Sequence, residues 1–80
     1  MRYTVILEPI NEPDSAGWYF AHIPTLDLTT HGEGVDGAIG AATDLVQGWI
    51  AERRARGEPV PRESRTLVSQ IEIADAVHAA

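Results

Sequence analysis

Three histidines are the first residues whose chemistry could define a site. Histidine titrates near neutral pH and is a common metal ligand. His22, His31 and His78 are separated by 9 and 47 positions, which is unlike any short metal-binding signature. We therefore expect no metal centre, and we expect His22 to be structural or to contact a partner. His31 precedes Gly32 and Glu33, where a polar turn is a simpler interpretation than an acid–base catalyst.

Carboxylates are the second candidate group, because a sheet-plus-helix fold can gather them around divalent ions. Asp27, Glu33 and Asp36 form such a set and would suit a metal-dependent RNase H-like nuclease. Asp36 is better explained as a first-turn partner of a helix dipole, and Asp44 as a solvent-facing helix residue. The nuclease stays open as an alternative, as does a small-molecule-binding oligomeric domain. The preferred interpretation has no catalytic residue, no metal and no cofactor, and so is not an enzyme.

Charge and size limit the possible functions further. The 80 residues carry 12 acidic and 6 basic side chains, for a formal net charge of -6, and contain no cysteine. Phosphate backbones repel such a chain, so direct nucleic-acid binding is not expected, whereas a basic protein would be attracted. Disulfides and thiolate metal sites are excluded. We expect a cytoplasmic protein without a membrane span, reinforced by self-association into a homodimer or homotetramer.

The elements that would position these residues follow from hydrophobic periodicity. Strand-like patterns cover residues 2–9, 18–24 and 26–30, and "HGEG" at 31–34 is interpreted as the turn that ends the third strand. The period then changes to about 3.6 over residues 35–56, which predicts a helix capped by Gly57. Residues 65–73 alternate again and predict a final strand.

The predicted fold class is α+β, with the order β-β-β-α-β: a small antiparallel sheet with one helix packed on one face. Residues 1–75 form a single domain in this interpretation, and residues 76–80 form a short tail.

The second strand suggests where a partner would bind. Trp18, Phe20 and His22 share one face of that strand, with Tyr19 on the other. One helix covers only one face of a sheet, so an aromatic face remains for another molecule. The tentative partner-binding residues are Trp18, Phe20, His22, Asp27, His31 and Glu33. The tentative oligomer-interface residues are Tyr19, Gly40 and Gly48.

Several motifs in this order resemble the HicB-like antitoxin family of type II toxin–antitoxin modules. "MRYTVILEP" is similar to the family's opening strand and "GWYFAHIPTL" to its second strand. "HGEG" is similar to the family's helix entry, and "GEPVPRE" to the exit that follows the helix. The chain departs from the family at residues 25–28, where the usual Pro-Gly-Cys is missing.

The resemblance implies a fold and a function. It implies a partial RNase H-like fold and a bacterial, non-catalytic protein that binds and neutralises a small basic HicA-type toxin, an RNA-cleaving enzyme. It also implies an N-terminal HicB domain without the DNA-binding domain that complete antitoxins of the family append. A solitary relative without a toxin is compatible with the same residues.

Overall fold

The sheet and the helix are built from successive segments of the chain. The computed structural model describes residues 1–75, so the predicted tail and His78 lie outside the described residues. In chain order, the elements are β1 (Ile6–Pro9), a 3-10 turn (Pro13–Ser15), β2 (Trp18–Ile23), a second 3-10 turn (Pro24–Leu26), β3 (Leu28–Glu33) and α1 (Gly34–Ala55). The predicted α+β class, with a small antiparallel sheet and one helix, is confirmed.

The strands lie in the order β1-β2-β3, and both pairs are antiparallel. Phe20 lies opposite Glu8 on β1 and opposite His31 on β3. Since directly opposed residues point to the same side of a sheet, this register fixes which side chains share each face. β2 is therefore the central strand, and its alternating residues divide the sheet into two chemically different surfaces.

The core lies between α1 and one face of the sheet. Its buried apolar residues come from β2, the second 3-10 turn and α1: Ala21, Ile23, Leu26, Ala38 and Ala42. Larger side chains, among them Val5, Leu7 and Trp49, are half-buried around them. Three of the five core residues are alanine, so the helix can approach the sheet closely but the buried apolar volume is small.

Glycine makes the close approach of β3 and α1 possible. A Cβ atom added to Gly32 would overlap the carbonyl group of Gly37 and lie 2.6 Å from the amide nitrogen of Ala38. Gly34 has φ +70°, and its amide donates a 2.7 Å hydrogen bond to the carbonyl of Gly17. The prediction of a turn at 31–34 is wrong for its first three residues, which continue β3. Gly32 serves helix packing there, not chain reversal.

The C-terminus of α1 follows its prediction closely. The helix spans Gly34–Ala55, within one residue of the predicted bounds at each end. Gly57 has φ +70°, its amide donates to Arg54, and the amide of Glu58 donates to Arg53. These two bonds make a Schellman motif, in which glycine adopts the left-handed conformation at low cost.

The predicted fourth strand at 65–73 is wrong. The described residues beyond α1 contain no strand or helix, and the apolar side chains of this segment are exposed. The order is therefore β-β-β-α, without the final strand. Alternating apolar residues favour a strand only where a neighbouring edge supplies hydrogen bonds and cover, and this segment meets no such edge within the described chain.

The first strand is shorter than the predicted strand over residues 2–9. Its pairing with β2 begins at Ile6, and the residues before Ile6 form no strand. The amide of Thr4 instead donates to the carboxylate of Glu63, 2.7 Å away. At Thr4, the side chain of Glu63 therefore takes the place of a neighbouring strand as hydrogen-bond partner.

Candidate functional site

The face of the sheet opposite α1 is the main candidate site, and we call it the open face. The register places eight side chains on it: Ile6, Glu8, Trp18, Phe20, His22, Thr29, His31 and Glu33. Five of the six residues proposed as partner-binding are in this set. The period-two pattern of β2 predicted that Trp18, Phe20 and His22 share one face. His31 and Glu33 join them because β3 continues to Glu33, beyond the predicted end at residue 30.

Large rings dominate the centre of the open face. The rings of Trp18 and His31 lie with their centroids 5.7 Å apart and their planes tilted by 44°. Phe20, directly opposite His31, keeps 42% of its surface exposed. Aromatic side chains bring much apolar area with few rotatable bonds, so an exposed group of them is suited to binding another surface.

Polar groups surround these rings. His22 Nδ1 and Thr29 Oγ1 are 2.7 Å apart, a hydrogen bond that orients the imidazole along the β2–β3 pair. Glu8 lies on β1, and Glu33 ends β3 opposite Trp18; both are exposed. None of the eight residues is lysine or arginine, so the formal charge of the open face comes from carboxylates.

Asp27, the sixth proposed partner-binding residue, lies just before β3 and outside the strand register that defines this face. It lies between the second 3-10 turn and β3 with φ 53°, and its amide donates to Pro24. Asp27 and Glu33 flank opposite ends of β3, about 20 Å apart at the usual rise of a strand. Asp27 is exposed and remains accessible, but it does not extend the cluster of Trp18 and Phe20.

The acidic residues of the nuclease alternative do not gather. Asp36 lies in the first turn of α1, as its predicted role requires, and Asp44 is exposed further along the helix. Across the described residues 1–75, no three histidine or carboxylate side chains are placed to hold a metal ion together. Because the set Asp27, Glu33 and Asp36 spans the length of β3, it offers no common centre for a divalent ion.

The residues proposed for an oligomer interface lie in different settings. Tyr19 is half-buried on the helix-covered face, where it packs against the core. Gly40 and Gly48 are exposed on α1, and a Cβ atom added to either would meet nothing within 4 Å. Within the chain these two glycines allow no close approach, unlike Gly32.

Sequence reasoning missed Glu63, which ties the segment after α1 to the sheet. Its carboxylate accepts hydrogen bonds from the Thr4 hydroxyl (2.5 Å), the Thr4 amide (2.7 Å) and the Thr25 hydroxyl (3.0 Å). The bonds from Thr4 hold the pKa of Glu63 below its ordinary value of 4.5, because they favour the ionised form. The connector in which Glu63 lies carries no pattern that could have indicated this role.

The arginines near the end of α1 have a structural role. The guanidinium carbon of Arg53 lies 4.7 Å from the centre of the Trp49 ring, and Arg53 Nε donates to the carbonyl of Pro59 (2.9 Å). Arg56 pairs with Glu52 one turn before it. Much of this cluster therefore serves the end of the helix, where positively charged side chains also complement the helix dipole.

A second surface lies beside α1 on the other side of the molecule. An apolar groove of about 280 Å³ runs between the extended N-terminal residues and the helix. Its walls include Tyr3 and Val5 on one side and Ile39, Val46 and Ile50 on the other. Nothing in the described chain fills this groove.

The chain matches no protein-family model, no curated protein and no solved structure. In the described part, no helix has both the length and the apolar character needed to cross a bilayer. The function must therefore be argued from the geometry of the open face and from the charge of the chain.

Proposed function

We propose that this chain is a binding module of the HicB-like antitoxin type, which captures a small basic HicA-type RNA-cleaving toxin on its open face and does no catalysis itself. The observation that carries the proposal is the group formed by Trp18, Phe20 and His31 on a sheet face that the helix leaves uncovered. The proposal includes the expectation that the three strands and α1 correspond to a partial RNase H-like fold.

Charge supports a basic protein as the partner. The chain has a formal net charge of -6, and the open face carries Glu8 and Glu33 without a lysine or arginine. Complementary potentials accelerate encounter and disfavour partners of like charge. The same charges repel RNA, so the protein would not bind RNA itself. It would instead compete with RNA for binding to the toxin.

The arrangement also suggests how binding would neutralise the toxin. Aromatic anchors at the centre of an interface exclude water, and charged groups at its rim steer association. Trp18 and Phe20 would lie at the centre of the interface, and Glu8 and Glu33 at its rim. If the toxin docks here through its RNA-binding surface, that surface is covered and RNA cannot reach it. Both proteins would act in the cytoplasm.

The test uses a basic protein of about 60 to 90 residues encoded beside this chain, a length within the usual range of small domains. The two proteins are purified, and cleavage of labelled RNA by the basic protein is measured as this chain is added. Inhibition at a one-to-one ratio is expected. RNA cleavage that continues unchanged, or a neighbouring protein that does not bind, contradicts the proposal.

Two pairs of variants locate the surface. Phe20→Asp should abolish inhibition, because it places a charge among the desolvated anchors, whereas Val35→Asp, at a similarly exposed apolar position on α1 outside the open face, should not. Glu33→Arg should slow association more than Asp44→Arg on the exposed helix surface. Equal effects within each pair would remove the open face as the binding site.

A further inference from the structure

The segment after Glu63 carries an exposed apolar pattern that the fold of one chain leaves without a partner. Leu67, Val68, Ile71 and Ile73 expose 82%, 69%, 85% and 72% of their surface. Leu67, Ile71 and Ile73 alternate onto one side with Ser69, and Gln70 and Glu72 lie on the other side with Val68. This is the composition of a strand with one buried face, yet it joins no sheet within residues 1–75.

The same chain has an unpaired strand edge at β1 among its described residues. β1 is an outer strand of the sheet, so one of its two backbone edges has no neighbour among the described residues. The apolar groove between Val5 and the α1 residues Ile39, Val46 and Ile50 lies beside it. A strand added at this edge would place alternate side chains toward the groove and toward the open face.

The route of the chain fixes where the segment begins. The Tyr3 hydroxyl donates a 2.6 Å hydrogen bond to the carbonyl of Pro61, and Thr4 holds Glu63 through two further bonds. The segment thus starts from an anchored point near the β1 edge and then leaves its own sheet. Pro59 and Pro61 stiffen the connection before that point, because each fixes its φ angle and lacks an amide proton.

We propose that residues 65–73 of one copy add as a fourth strand to the β1 edge of a second copy, and that the second copy returns the same strand to the first. One chain supplies both the donor segment and the acceptor edge, so a two-fold arrangement satisfies both at once and closes the assembly. The small alanine-rich core provides the reason for such an exchange, since a chain of this size gains much of its apolar burial from a partner. This inference does not depend on the proposed toxin.

Sedimentation equilibrium of the full chain tests the assembly. A dimer is expected, and Ile71→Asp should raise its dissociation constant by about a hundredfold or more, because each dimer loses two buried apolar side chains. Gln70→Asp adds the same charge one position away on the other side of the strand and should leave the dimer intact. A monomer at every concentration, or a dimer that Ile71→Asp does not weaken, overturns the proposal.

A second measurement identifies the location of the segment in the unmodified protein. In a mixture of isotope-labelled and unlabelled chains, filtered NOE spectra record only contacts between copies. Contacts from the methyl groups of Leu67 or Ile71 to the ring of Tyr3 are expected between copies. If those contacts occur only within one chain, the segment folds back on its own β1 edge and the exchange is refuted, even if Ile71→Asp fails to fold.

Discussion

The two faces of the sheet differ in where they carry their small residues and their exposed rings. On the helix-covered face, Gly32 lets the backbones of β3 and α1 approach closely, and Ala21 and Ile23 are fully buried. On the open face, the same strands present Trp18, Phe20 and His31. Small residues at a position packed by a helix and large rings at an unpacked position indicate different purposes: the first face serves folding, and the second is available to another molecule.

The largest expected effect comes from breaking the helix-covered face at Ile23. Ile23→Ala should destabilise the chain by about 3 kcal/mol, because it removes the largest fully buried side chain and leaves a cavity. Urea unfolding followed by circular dichroism measures the change. A loss under about 1 kcal/mol would mean that this face contributes little to the core.

A second variant tests the close approach of β3 and α1. Gly32→Ala should cost about 2 kcal/mol, because the added Cβ overlaps helix backbone that cannot rotate away. Gly40→Ala is the matched control: its Cβ meets open space, and alanine should stabilise the helix by up to about 1 kcal/mol. Thermal melting of both variants should therefore shift in opposite directions, and shifts of the same sign would contradict this reading of the junction.

A pH experiment tests the hydrogen bonds that join Glu63 to Thr4, just before β1, and to Thr25. The pKa of Glu63 is lowered in the folded chain, so the unfolded chain binds more protons as the solution is acidified. The stabilising contribution is complete above the ordinary pKa of 4.5 and is lost as the pH falls through the lower folded value. Glu63→Gln should reduce stability near neutral pH and remove this part of the acid sensitivity.

Urea midpoints of the Glu63→Gln variant and the unmodified chain, measured at several pH values, test this prediction. The difference between them should shrink below pH 4.5, because the other carboxylates are common to both proteins. A difference that stays constant with pH would show that the Glu63 charge has no part in the tie to Thr4 and Thr25.

The smallest effect on stability is expected on the open face itself. Phe20→Ala should change the free energy of unfolding by less than about 1 kcal/mol, because 42% of the ring is already exposed. Urea unfolding beside Ile23→Ala gives the contrast between the two faces directly. A loss as large as that of Ile23→Ala would assign Phe20 to the folding core instead of to a binding surface.

The sequence predicted the elements whose signals are local. Alternation around Trp18 and Phe20 gave the two faces of β2, and the helical period with Gly57 gave α1 to within one residue at each end. The predicted third strand ends too early, at residue 30, because Gly32 resembles a turn residue. In the structure, packing against the helix requires that Gly32 has no side chain. A pattern does not distinguish these two uses of glycine.

The failures share a dependence on distant residues. Residues 65–73 have the alternation of a strand, but alternation does not reveal whether an edge is available to pair with it. Glu63 belongs to a polar connector and finds Thr4 and Thr25 only after the chain has folded.

The tie between Glu63 and Thr4 has a kinetic consequence. The β1-β2-β3-α1 order brings together segments that are neighbours along the chain, and such contacts close short loops quickly. The bonds from Thr4 to Glu63 span 59 residues, the largest separation among the side-chain hydrogen bonds described, and closing that loop costs more chain entropy. The meander and helix should therefore form first and this closure last, so weakening it should speed unfolding while leaving the folding rate nearly unchanged.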